Sequence, residues 1–341
     1  MQKDLKRLSI EAIMHKTMKD IEDNPDRALR NLVDMGANFA NGRFQKPFFN
    51  AIQNMLTNEH SSYYELLRCL LNNVSTNHIL DFGINIGYNS CTKGANTIRK
   101  LEKKYGFNIP WVIGLAITDN TEELYINSLY SIIKQGKDIG IYTYILYTKN
   151  INPLTILPIL LENKDCAFIL SLRNADMTEK IYNRLCNATN TLIAVYDDEN
   201  TDKICKNLKK RHIPYAIYRR YIENDAENII NGNWISSILD KEPLFSFLAP
   251  DDAVPNDVQE QVYNYIKTTR YAQVYPSILM DLHYDQLMID RIISNDECIF
   301  GFDENGSVIT HKIRIQNNNA FNILHNDLLS ILNHEENLIK K

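Results

Sequence analysis

Three groups of polar residues stand where a parallel α/β protein would place its chemistry. Asp197 and Asp198 follow an apolar run, as do Asp251 and Asp252, and Asp281 and His283 close a third. Paired carboxylates at the end of a strand can bind a cation or exchange protons with a substrate. An aspartate there can equally cap the helix that follows, and capping is the favoured reading for Asp197, Asp198, Asp251 and Asp252. For Asp281 and His283 a place at the mouth of a barrel remains a second reading beside the structural one.

Other chemistry is hard to find. The eight histidines form no H-E-x-x-H or H-x-H pair, so no dedicated metal site is expected. The six cysteines, Cys69, Cys91, Cys166, Cys186, Cys205 and Cys298, are dispersed and include no C-x-x-C pair. They read as small buried hydrophobes. The segment Gly83 to Ser90 lacks the third glycine and the βαβ setting of a dinucleotide fingerprint, and reads as a junction between helices. There is no nucleophile elbow and no phosphate-binding loop.

Composition narrows the class. The chain has 341 residues, 44% hydrophobic and 23% charged, with a net charge of −5. Those are the proportions of a globular protein. No global basic field exists to attract nucleic acid or an acidic membrane. No apolar run is long enough to cross a bilayer, and the charged N-terminus lacks the apolar core of a signal peptide. A cytoplasmic protein is the expectation.

The elements that must position these residues fall into three parts. Residues 1–107 read as a helical region, with apolar spacing at Leu5, Leu8, Ile13 and Met14, at Ala28, Leu29, Leu32 and Val33, and over 47–56, 63–71 and 93–105. Residues 108–290 alternate continuous apolar runs with amphipathic ones. The strand-like runs are 111–117, 141–147, 166–172, 191–196, 215–218, 244–248 and 277–282, and the helical runs between them are 122–137, 155–163, 178–187, 199–211, 226–240 and 254–270. Buried parallel strands covered by helices produce that pattern. The expected fold is α/β, a partial (β/α)6 TIM-type barrel, ahead of a doubly wound sheet. Residues 291–341 form a short extension, in which Asn305 and Gly306 between two apolar runs mark a β-hairpin. A short helix over 326–332 follows it.

The order and spacing of four segments resemble a radical S-adenosylmethionine (SAM) protein with a SPASM-type C-terminal extension. These are Phe107 to Trp111, Lys134 to Ile145, Asp165 to Leu170, and the hairpin at Asn305 and Gly306. The resemblance covers about residues 50 to 335. It implies a βα barrel with an iron–sulfur cluster loop after the first strand. In that family the loop carries C-x-x-x-C-x-x-C, because three thiolates hold the cluster. Here the loop reads Thr118, Asp119, Asn120, Thr121. The family's Gly-Gly-Glu-Pro motif, which meets the SAM amino group, corresponds here to Lys149, Asn150, Asn152 and Pro153, and only the proline survives. The auxiliary-cluster cysteine after the hairpin is replaced by Thr310, His311 and Lys312.

Three losses in one direction imply a degenerate member of that family. The expected cofactors are none, with both the 4Fe–4S cluster and SAM lost. The expected role is that of a non-catalytic subunit binding a peptide, a metabolite or an intact radical SAM homologue. The rival expectation is an enzyme with non-radical, cation-assisted chemistry at the barrel mouth, using Asp197, Asp198, Asp251, Asp281 or His283.

Overall fold

Each continuous apolar run becomes a strand. The computed structural model describes residues 5–21, 33–34, 46–47, 50, 53–54, 57–58, 60–173, 177–294, 297–312, 314–315 and 318–339. Most of the helices expected over 28–33 and 47–56 lie outside those residues. The strands are β1 (Val112–Thr118), β2 (Thr143–Lys149), β3 (Ala167–Arg173), β4 (Thr191–Tyr196), β5 (Tyr215–Tyr221), β6 (Phe245–Pro250) and β7 (Ile278–Asp281). β8 (Phe300–Phe302) and β9 (Val308–Thr310) form the hairpin marked by Asn305 and Gly306, and Gly306 takes a φ of +79°.

The fold is α/β. The nine strands lie in the order β7-β6-β5-β4-β3-β2-β1-β8-β9. A doubly wound sheet reverses its winding at a switch point. Here β1 to β7 follow one another without reversal, which is the winding of a partial βα barrel.

By contacts the chain divides into two units. Met1–Leu80 and Ala194–Asp285 form one; Asp81–Ile193 and Gln286–Lys341 form the other. The division falls inside β4.

In the second unit, β1 pairs in parallel with both β2 and β8. Its Ile113, Leu115 and Ile117 are fully buried, as are Tyr125, Leu129, Ile132 and Ile133 of the following helix, Glu123–Asp138. Each such side chain contributes about 1.5–3 kcal/mol of burial free energy. The segment Gly83 to Ser90 is not a junction. The helix Thr76–Ile84 continues as a π-helical stretch, Asn85–Gly94, into the helix Ala95–Tyr105. Tertiary bonds account for the difference. Asn85 donates to the carbonyls of Lys164 and Cys166, and Asn89 donates to that of Asp165, at 2.8 Å each. Gly106 stops the helix in a left-handed conformation.

Asp290 ties the entries of two neighbouring strands. It is fully buried and accepts from the backbone N–H groups of Trp111, just before β1, and Cys298, just before β8. The Asn108 side chain donates to it as well, at 3.1 Å. Burial, the largest influence, pushes its carboxyl up to about 7.

In the first unit, β5, β6 and β7 pair in parallel. Two details differ from expectation. The helix read over 226–240 is divided into Ala226–Ile230 and Asn233–Ile238 at Gly232, whose φ is +75°. A further helix, Tyr284–Ile293, follows β7 and makes a seventh βα unit where six were expected; only its first two residues belong to this unit.

The outer edge of β7, the last strand in the order, is occupied by side chains. Arg270 donates to the carbonyl of Leu279 at 3.2 Å, and the N–H of Asp281 donates to Asp285 at 3.0 Å. Arg270 and Asp285 are themselves joined by two bonds of 2.7 and 2.8 Å. This bidentate pair fills hydrogen-bonding positions that another strand would otherwise take. Among the described residues no helix is long and apolar enough to cross a membrane.

Candidate functional site

Loops at the carboxyl ends of parallel strands gather side chains from separate parts of the chain. In the second unit the loops after β1 and β2 line an open cleft of about 330 Å³. Thr118, Asp119, Thr121, Glu123 and Ile126 come from the first loop and its helix; Asn150, Ile151, Asn152 and Thr155 come from the second.

Each wall is built by local bonds. The Thr118 N–H donates to the Thr121 hydroxyl at 2.8 Å, and the Thr121 N–H returns to the Thr118 carbonyl at 3.1 Å. A chain of four residues can therefore close the turn from strand to helix. On the other wall Asn150 adopts a left-handed φ of +56°, which asparagine tolerates better than most residues. Its N–H donates to the Arg173 carbonyl at 3.1 Å. The Asn152 side chain accepts from the Leu154 N–H at 3.0 Å and so starts the turn Pro153–Thr155. Of the four residues that the resemblance implied as the counterpart of a SAM motif, Asn150 and Asn152 line the cleft; Lys149 is exposed and Pro153 is buried.

The lining offers three threonine hydroxyls, two carboxamides and two carboxylates, with Ile126 and Ile151 as apolar surface. No cysteine or histidine lines it. Such a surface can hydrogen-bond a polar or cationic group. It contains no paired nucleophile and imidazole.

No family model and no curated protein matches the chain. Among solved structures, Streptococcus suis SuiB bound to S-adenosylmethionine is 14% identical over 68% of this chain and 66% of that one, with a TM-score of 0.49. SuiB bound to the precursor peptide SuiA is 11% identical over 68% and 67%, with a TM-score of 0.45. Xanthomonas albilineans dihydropteroate synthase with 4-aminobenzoic acid is 9% identical over 54% and 90%, at 0.31. The chain thus spans about two thirds of SuiB. No chemistry of this protein follows from likenesses of that size.

The acidic candidates all belong to the first unit, and they are held in separate arrangements. Asp197 accepts the indole N–H of Trp234 at 2.8 Å and lies 3.6 Å from Arg219, which also binds Asp225 at 2.8 Å. Asp198 accepts the Asn200 N–H at 2.8 Å, and its own N–H donates to Thr201, the first residue of the helix Thr201–Lys210. These bonds shape the turn that leads into the helix; the residue at the N-cap position is Asn200, and Asp198 does not cap it. Asp251 and Asp252 each lie 3.4 Å from Arg220. Arg219 and Arg220 are neighbours on β5, and successive side chains of a strand leave on opposite faces. The two arginines therefore draw Asp197 and Asp251 apart.

Asp281 is fully buried, and its Oδ1 accepts the N–H groups of His283 and Tyr284 at 2.8 Å each. It thereby caps the helix Tyr284–Ile293. The His283 ring meets Tyr284 edge-on at 5.2 Å, and burial pulls its pKa down. Among the described residues, no three His, Cys, Asp or Glu side chains come together in a way that could hold a metal ion.

The sequence indicated the second wall of the cleft through Asn150 and Asn152, but not the first. Thr118, Asp119, Thr121 and Glu123 were visible only as a loop lacking cysteine. Their position after an apolar run that becomes a parallel strand was the available signal.

Proposed function

We propose that this chain is a radical-SAM-like pseudoenzyme: it carries no iron–sulfur cluster and works by binding rather than turnover. One observation carries the reading. The loops after β1 and β2, to which the sequence resemblance would assign a cluster and SAM, line a cleft of hydroxyls, amides and carboxylates. Those donors do not fit a four-iron cluster, whose irons take thiolates. The binding partner is a peptide, a metabolite or an intact radical SAM homologue, and the cleft suits one with hydrogen-bond donors or a positive charge. The enzyme alternative would need Asp197, Asp251, Asp281 and His283 around one substrate, and their separate arrangements speak against it.

Anaerobic reconstitution followed by iron and sulfide analysis tests the first half of this proposal. The expected result is iron and sulfide far below one cluster per chain; near-stoichiometric loading of a four-iron cluster would overturn it. Calorimetry with SAM should likewise find no micromolar binding. Each tenfold loss of affinity corresponds to about 1.4 kcal/mol, and both the open iron and the glycine backbone are missing as anchors. Co-purification from the native host tests the second half. Recovery of the chain alone, together with turnover of a small metabolite by the pure protein, would favour the enzyme.

A further inference from the structure

In the first unit, two buried polar atoms have no hydrogen-bond partner among the described residues. One is Oδ2 of Asp281, whose Oδ1 is already occupied by two backbone N–H groups. The other is the hydroxyl of Tyr221, at the end of β5. Tyr221 feels the charge of Asp281 electrostatically.

For Asp281 burial outweighs the support that an ionised carboxylate draws from the N–H groups of His283 and Tyr284 and from the charge of Arg270. Arg270, from the helix Asn256–Ala272, directs two N–H groups at Asp285. Asp285 is a second carboxylate, bound to the N–H of Asp281 itself. His283 has a lowered pKa and is neutral near pH 7. Tyr263, which donates to Asp285 at 3.2 Å, and Tyr284 are uncharged hydroxyls. Glu260, which acts on Tyr284, adds only negative charge. An ionised Asp281 would leave a bare, charged oxygen in the interior, which is costly. The neutral acid instead presents an uncharged O–H, which costs far less to bury. In agreement, burial pushes the Asp281 carboxyl up to about 7.

We propose that Asp281 is a proton-dependent latch: when neutral it fastens the end of β7 to the start of the next helix, and its ionisation loosens that joint as pH rises. Once charged, Oδ2 is drawn toward water, and reaching water requires the joint to open. The sign follows from linkage. A folded-state pKa above the unfolded value contributes stability that is complete below about pH 4 and is lost as pH rises through about 7. Across that window the folding equilibrium should fall by up to about tenfold per pH unit.

Carbon-13 NMR titration of the aspartate carboxyls in the full chain tests this, with the signal assigned by its loss in Asp281→Asn. The asparagine keeps the acceptor at Oδ1 and places a donor at Oδ2, so it imitates the neutral acid. The expected midpoint is near pH 7. Amide exchange in Tyr284–Ile293 should quicken above that midpoint in the wild type but not in the variant. Urea unfolding should show wild-type stability falling with pH relative to Asp281→Asn. If that variant does not fold, Asp290→Asn removes the other aspartate raised to about 7 and leaves the Asp281 signal alone near neutrality. A midpoint below about pH 5, or parallel pH profiles for wild type and Asp281→Asn, would overturn the latch.

Discussion

Asp285→Ala should cost about 3–5 kcal/mol of stability, the range for breaking a buried ion pair from one side. Asp285 is 6% exposed and serves four donors: both arms of Arg270, the N–H of Asp281 and the hydroxyl of Tyr263. Its removal leaves the guanidinium half-buried without its counter-charge and frees a backbone donor on the outer edge of β7. Two readouts are therefore expected from one change. Urea unfolding should show the loss, and light scattering should show increased self-association, because an unoccupied strand edge templates pairing. Arg270→Lys should recover little of the lost stability when compared with Arg270→Ala, since an ammonium cannot bridge both carboxylate oxygens and the Leu279 carbonyl in one plane. A loss below about 1 kcal/mol in Asp285→Ala would place the pair among ordinary surface salt bridges and remove this account.

Gly140→Ala should be nearly as damaging, for a steric reason. Gly140 follows the helix Glu123–Asp138 with a φ of +99°. A Cβ built there would lie 2.6 Å from the Gly94 carbonyl oxygen and 3.0 Å from Thr97. Both obstacles are on the stretch Asn85–Gly94 or the helix that continues it, and the carbonyl cannot rotate away as a side chain would. Overpacking costs about 1–3 kcal/mol and a left-handed backbone roughly 1–2 more, so a loss of about 3 kcal/mol is expected. Gly87→Ala is the matched control. It lies in the same stretch, its added Cβ would meet nothing within 4 Å, and alanine should be neutral or favourable there. Equal losses in the two variants would show that the close approach of Gly94 and Gly140 does not matter.

Much of this fold was legible because parallel strands buried on both faces leave continuous apolar runs. β4 matches its run at both ends, and β1, β2, β3 and β6 differ by a residue or two. The helix Tyr284–Ile293 escaped notice for the opposite reason. Its buried positions include Asp285 and Asp290, so the inner face does not read as apolar. The stretch Asn85–Gly94 was obscured similarly, since asparagines that look like loop residues are buried against backbone carbonyls far along the chain. The break at Gly232 was hidden because one glycine inside an apolar-periodic run does not announce its φ. At the sites, residue types were readable but partners were not. Nothing adjacent to Asp197 points to Trp234, and no spacing rule sends Arg219 and Arg220 to different acids.

The pairing of β8 with β1 sets a timetable for synthesis. Val112–Thr118 leaves the ribosome shortly before β2, which covers one side of it. The other side is covered only by Phe300–Phe302. At a translation rate of about 5–20 residues per second, that flank of β1 stays unpaired for on the order of ten seconds or more. During that interval an apolar strand with free backbone groups is present on an incomplete chain. That interval is when the nascent chain is most exposed to mispairing at this edge, a hazard the finished molecule no longer shows.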